Sequence, residues 1–248
     1  MKVWGATDKG KVRKNNQDYY RHGAVGQGQY LAVVCDGMGG AKSGDVASKL
    51  ASEVFLQDVQ QSAALNMEQQ DIVNMLVTAV DNANRAVYEQ SKVSPDFSGM
   101  GTTLVAVFVQ QEDAYIVNVG DSRCYYINGD DISQITEDHS VVGLMVARGQ
   151  ITEEEARIHP NKNLITRAVG TEPQVECDCF YLELEEGDRL LLCSDGLSNL
   201  VTKTEILFEV AHGESQEDIC FRLIEIAKDR GASDNVTVVL MEYETPEE

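Results

Sequence analysis

The chain carries two kinds of hydrophobic spacing. Runs at residues 3–7, 30–35, 102–109, 114–119, 123–127, 178–184, 189–193 and 236–243 are short, rich in β-branched and aromatic residues, and bounded by turn residues. That pattern predicts strands. Three longer stretches repeat apolar residues every three or four positions, the spacing of one helix face. Between residues 45 and 60 the repeat is Val46, Leu50, Val54, Phe55 and Val59. Between 67 and 90 it is Ile72, Leu76, Ala79, Ala83 and Val87. A third helix is predicted over 216–229, with Ile219, Leu223, Ile226 and Ala227 inward.

The elements come in groups rather than in strict alternation. That order disfavours a regular βαβ sheet and predicts an α+β chain with antiparallel sheets and helices packed outside. Residues 136–170 break the pattern, with short helical stretches at 141–148 and 152–157, and read as an insertion between sheet strands. No repeat or linker divides the 248 residues, so one domain over 1–248 is expected.

Composition narrows the function. With 43% hydrophobic and 25% charged residues the chain is that of a soluble globular protein. A net charge of −21 repels phosphate backbones and argues against nucleic acid as a partner. Solubility accounts for most of that charge, while a cluster of acids holding cations is the sharper reading. Six cysteines occur without a CxxC pair; Cys177 and Cys179 flank Asp178 on one strand face, but no second pair completes a zinc site. Buried free thiols in a reducing cytosol are expected. The N-terminus has no apolar signal-like region, and no apolar run approaches ~18 residues, so a cytoplasmic protein without membrane contact is expected.

Candidate chemistry sits in four short stretches: Arg13-x-x-Asn16-x-Asp18, Asp36-Gly37-Met38-Gly39-Gly40, Ser194-Asp195-Gly196 and Ser233-Asp234-Asn235. A fifth, Gly120-Asp121-Ser122-Arg123, falls between two predicted strands. Asp-Gly alone reads as a hairpin turn. Context argues otherwise, because Asp36 follows the apolar run 31–35 and Asp195 follows the run 190–194. A buried strand that ends in a carboxylate can fix a metal ligand, and hard cations such as Mg²⁺ or Mn²⁺ take oxygen donors. Clustered carboxylates repel unless cations intervene, and two such ions can share a bridging carboxylate and activate a water. The loop from Gly37 to Ser43 lacks the GxxxxGK[ST] spacing of a P-loop, and neither a GxSxG elbow nor a Cys-x5-Arg loop supports covalent chemistry.

Together, residues 7–18, DGMGG, GMGTT (99–103), GDSR, SDGL (194–197) and SDNVT (233–237) resemble the PP2C family of metal-dependent Ser/Thr phosphatases, in its compact bacterial branch. Residues 163–170, NLITRAVG, resemble the close of that family's flap subdomain, here about 136–170. The resemblance implies a four-layer α-β-β-α sandwich of two antiparallel sheets flanked by helices. It implies hydrolysis of phosphoserine and phosphothreonine in proteins by direct attack of a water shared between metals, with two to three Mn²⁺ or Mg²⁺ ions. Asp36 would bridge two ions, the Gly37 carbonyl would ligate one, and Asp195 and Asp234 would complete the other. Asp18 would act through water, Arg13 would hold the substrate phosphate, and Asp121 with Asp195 would take a third ion. A Ser/Thr kinase is the implied opposing partner, and a monomer is expected. Met38 stands where eukaryotic relatives carry a histidine acid, so the implied proton donor becomes a metal-bound water. His139 is the alternative donor, with a solvated loop histidine as the plainer reading.

Overall fold

A computed structural model describes residues 1–39 and 43–245. Gly40, the last glycine of DGMGG, and Lys42 lie outside the described residues.

Two antiparallel sheets stack face to face. One is built from β1 (Lys2–Asp8), β11 (Val236–Glu242), β10 (Arg189–Cys193), β7 (Arg123–Asn128) and β8 (Asp131–Gln134), in that order. The other runs β2 (Asp18–Gly26), β3 (Gln29–Met38), β5 (Leu104–Gln110), β6 (Asp113–Val119) and β9 (Asp178–Glu183), with short β4 (Gly101–Thr102) paired to the tip of β3. Strand alternation decides which side chains go where. Ala32 and Val34 of β3 face the other sheet and meet Cys124, Leu192 and Val239. Leu31, Val33 and Cys35 of the same strand face α1 (Gly44–Ser62) and α2 (Gln69–Ser91), meeting Phe55, Leu76 and Ala79. On the opposite outer face α6 (Lys203–His212) and α7 (Gln216–Asp229) cover Leu191, Cys193 and Val238. The result is the expected α-β-β-α sandwich.

The pattern predicted the elements that bury a full face. α7 falls on the predicted residues, α1 extends its prediction by one residue at the start and two at the end, and α2 starts two residues later and ends one later than predicted. Two strands and two α-helices escaped it, one of the helices being the single turn Asp195–Ser198. β2 alternates half-buried with exposed positions and carries Asp18, Arg21 and His22, so its apolar signal is diluted. β8 spans four residues with none buried. α6 begins with a capping box between Thr202 and Glu205 but hides only Ile206, Glu209 and Val210. The predicted run 102–109 is interrupted only at Thr103, whose backbone N–H donates to the Asp36 carbonyl at 2.9 Å. β4 keeps the register of β5 along β3, with Val105 opposite Val34 and Thr102 opposite Gly37.

Between β8 and β9 the chain leaves the sandwich. α3 (Val141–Ala147) and α4 (Glu153–Ile158) lie in this excursion, and it returns along residues 159–177. Thr102 exchanges backbone hydrogen bonds with Val169, and Ser140 bridges Ile165, so both ends of the excursion are pinned.

Candidate active site

All five acidic stretches arrive at one end of the sandwich. Asp18 starts β2 and pairs with Asp36 near the end of β3. Asp121 follows β6, Asp195 follows β10 and opens α5 (Asp195–Ser198), and Asp234 precedes β11. Asp36-Gly37 therefore lies inside a strand, and the hairpin reading fails. Glycine is required at position 37 by close approach: a Cβ there would stand 2.0 Å from the Gly44 carbonyl oxygen. Gly196 meets the same demand, since a Cβ would fall 1.8 Å from the Asn235 carbonyl oxygen. The SDG and SDN stretches are locked together by that packing.

These residues surround a cavity of about 240 Å³ lined by Arg13, Asp36, Gly37, Met38, Asp121, Asp195 and Asp234. Gln17 and Thr103 complete the wall, and Asn163 and Ile165 reach in from the excursion between β8 and β9. Asp18 lies behind this wall, buried. Its Oδ2 accepts hydrogen bonds from the Ser194 hydroxyl at 2.8 Å and the Thr237 hydroxyl at 2.7 Å. Its Oδ1 is buried and has no hydrogen-bond partner among the described residues, and the same holds for Asp195 Oδ1. Asp195 Oδ2 accepts from Asn199 at 3.0 Å. Asp234 is the gripped member: Oδ2 takes Arg13 at 2.7 Å and Oδ1 takes the Asn235 N–H at 2.9 Å.

Electrostatics follows from this crowding. Burial raises the Asp18 carboxyl to about 7, with Asp195 and Asp234 adding repulsion and the two hydroxyls opposing it. Burial also lifts Asp36 well above the usual carboxylate range, reinforced by Asp18, Asp195, Asp121 and Asp234. Asp121 and Asp195 are raised for the same two reasons. Carboxylates buried together on one cavity repel unless a shared proton or a cation intervenes. Unpartnered carboxylate oxygens, mutual repulsion and an all-oxygen donor set fit a hard divalent ion. Among the described residues no three acids close on a single point. A cup of that kind suits ions that keep part of their water shell.

The sequence passed over the supports. Asn235 ties the first loop to the site: its Oδ1 accepts from the Gln17 N–H at 2.8 Å, and its amide donates to the Lys9 and Asn15 carbonyls. Thr103 receives the Asp36 N–H at 2.9 Å and shares a 2.7 Å hydrogen bond with Ser122. A hydroxyl inside an otherwise apolar strand, as at Thr237 in the buried stretch 236–241, was the available signal. His139 is not the solvated loop residue the plainer reading expected. It is buried, its Nδ1 accepts the Gly120 N–H at 3.0 Å, and its Nε2 faces Asp178 at 3.0 Å.

The sequence profile of protein phosphatase 2C matches residues 9–240. The chain belongs to the PP2C family. A serine/threonine phosphatase of Listeria monocytogenes is 38% identical over 239 residues, covering 95% of this chain and 93% of that protein. A protein phosphatase of Streptococcus pneumoniae is 35% identical over 245 residues, 97% of each chain. The crystal structure of a serine/threonine phosphatase from Staphylococcus aureus superposes with a TM-score of 0.92 at 38% identity, covering 98% of this chain and 95% of that one. This PP2C chain is accordingly a phosphoprotein phosphatase with the fold of its bacterial relatives, in a family that depends on metal ions. Among the described residues no helix is long and apolar enough to cross a membrane.

Proposed function

We propose that the acidic cup dephosphorylates phosphoserine and phosphothreonine in proteins with two to three Mn²⁺ or Mg²⁺ ions. Asp36, the Gly37 carbonyl, Asp195 and Asp234 would hold the first two, Asp18 would support them through water, and Asp121 with Asp195 would hold the third. When bound, the ions supply Lewis-acid charge and an acidified water able to attack phosphorus at neutral pH. The observation that carries this reading is the convergence of Asp36, Asp121, Asp195 and Asp234 on one cavity, with buried oxygens of Asp18 and Asp195 left without a hydrogen-bond partner among the described residues.

The protein's own groups then have distinct tasks. Ser194 and Thr237 fix Asp18, so the direction of its free oxygen is set before any ion arrives. Arg13 stands at the rim, half-exposed and tethered to Asp234 through one nitrogen. Among the described residues no other ion-pair partner holds its planar fork, whose remaining N–H groups would take a substrate phosphate. Asn163 and Ile165 would shield the reacting phosphate from bulk water. Met38 lines the cavity but donates no proton, and His139 does not line it, so the leaving hydroxyl takes its proton from water.

The excursion at 136–170 would serve as a flap that shapes peptide access. Every residue in these roles comes from one chain, which supports a monomer, and six free thiols support a reducing cytoplasm. A cognate Ser/Thr kinase would supply the phosphoproteins. The test is hydrolysis of phosphoserine, phosphothreonine and phosphotyrosine peptides side by side with Mn²⁺, Mg²⁺ or chelator. The first two should be cleaved only with metal; an uncleaved phosphothreonine peptide under both metals overturns the proposal.

A further inference from the structure

The excursion re-enters the sandwich through Cys177-Asp178-Cys179, and those three residues face two ways. Cys179 pairs with Val117 across the sheet, and Cys177 packs at the border of the core that α1 and α2 cover. Cys179 is exposed on β9, an edge strand, and Cys177 is half-buried. Two positions apart on extended chain, the two thiols share one face. Asp178, between them, points to the opposite face. Its Oδ2 meets His139 Nε2 at 3.0 Å and its Oδ1 takes Arg167 at 2.7 Å. His139 in turn holds Gly120, the neighbour of Asp121, by its ring and by its backbone N–H. One carboxylate thus ties both ends of the excursion to β9 and to the loop that carries Asp121.

We infer that Cys177 and Cys179 form a redox-active dithiol, closed by low-molecular-weight disulfides into a reversible bridge that pulls Asp178 off His139 and Arg167. Cys179 is the exposed member of the pair, and exposure favours it as the attacking thiolate. Cys179 sulfur attacks one sulfur of the reagent disulfide and expels the first reagent thiolate. Cys177 then attacks the Cys179 sulfur of the mixed disulfide and expels the second. Two protein thiols are oxidised, one reagent disulfide is reduced to two thiols, and the two protons leave with them.

The other four cysteines are poor competitors. Cys35, Cys124, Cys193 and Cys220 are buried, and burial raises every one of their thiols. Cys179 is open to reagents by its own exposure, and a cleft of about 760 Å³ between α2 and residues 166–176 ends at Glu176, the neighbour of Cys177. Bridging residues i and i+2 of an extended strand demands a contraction. Two residues span roughly 6.6 Å at about 3.3 Å each, while disulfides prefer Cα separations of about 5.5–6 Å. The backbone buckles at Asp178, and the strain keeps the bridge easily reduced.

Full-length protein is titrated with oxidised glutathione, then assayed by alkylation with mass spectrometry and by hydrogen exchange. The expected product has lost two hydrogens and two alkylatable thiols, maps to the peptide holding Cys177 and Cys179, and reverts with dithiothreitol. Cys177→Ser should stop at a glutathione mixed disulfide on Cys179. Exchange over residues 139–167 should rise severalfold in the bridged protein, and Asp178→Asn should raise it equally without oxidant. Retention of glutathione on wild-type Cys179, or no reaction at all, overturns the dithiol. A bridge that leaves exchange over 139–167 unchanged overturns the link to Asp178.

Discussion

The acidic cup and the excursion over it are built on opposite terms. The cup rests on strands whose neighbours are fully buried, from Leu31 to Cys35 on β3 and from Leu191 to Cys193 on β10. Its carboxylates are fixed by hydroxyls, an amide and a guanidinium. The excursion has little core: α3 buries only Val142, α4 buries nothing, and Ile158 is 85% exposed. It is held by polar ties, above all Asp178 to Arg167 and His139, and Arg123 to Asp138. Ligands for ions must be placed to a fraction of an ångström and belong on rigid elements. A surface that meets varied phosphopeptides can be one of low local stability.

That contrast predicts a graded set of effects. Asp36→Asn should lower turnover of a phosphothreonine peptide by about 10³-fold or more, the scale of losing a charge aimed at the reacting centre. Steady-state kinetics at saturating Mn²⁺ measures it. Thr237→Val removes one of the two hydroxyl bonds to Asp18 and should weaken Mn²⁺ binding about tenfold, the low end for a group supporting a ligand. Calorimetry reads this directly. Asp121→Ala should abolish occupancy of the third position while sparing the other two, as a crystal grown with Mn²⁺ would show.

Effects in the excursion should be smaller and tied to its polar contacts. Burial would raise the Asp178 carboxyl, but the hydrogen bonds from His139 and Arg167 outweigh it and hold the group below its ordinary 3.8. A depressed carboxylate contributes its stabilisation above the unfolded-state value and loses it as pH falls through the lower folded value. Hydrogen-exchange protection over 139–167, taken relative to the intrinsic rate at each pH, should therefore be flat above that range and fall in acid; a fall beginning near neutrality would point elsewhere. Ile158→Ser should leave stability within about 0.5 kcal/mol, as thermal unfolding would check, because nothing packs on that side chain.

The same contrast governs what the sequence disclosed. Helices with one buried face announced themselves by period, as did α7, and β3, buried on both faces, by an unbroken apolar run. Asp36, Asp121, Asp195 and Asp234 were legible because each adjoins or ends a buried strand in a stretch too polar for core, whereas the role of Asp18, on half-exposed β2, came only from the family resemblance. What stayed hidden depends on long-range approach: Ser194 and Thr237 converge on Asp18 from more than 170 positions away, across two sheets. His139 was misread because its partners, Gly120 and Asp178, lie 19 and 39 positions distant. Asn163 and Ile165 carry no charge signal, and only the folded chain brings them to the cavity.

Calorimetric titration of Mn²⁺ into the wild-type chain and into Asp36→Asn tests the central claim most directly. The account predicts at least two ions per wild-type chain and loss of the tightest binding in the variant. Matching isotherms for the two proteins would contradict a cation cup organised around Asp36.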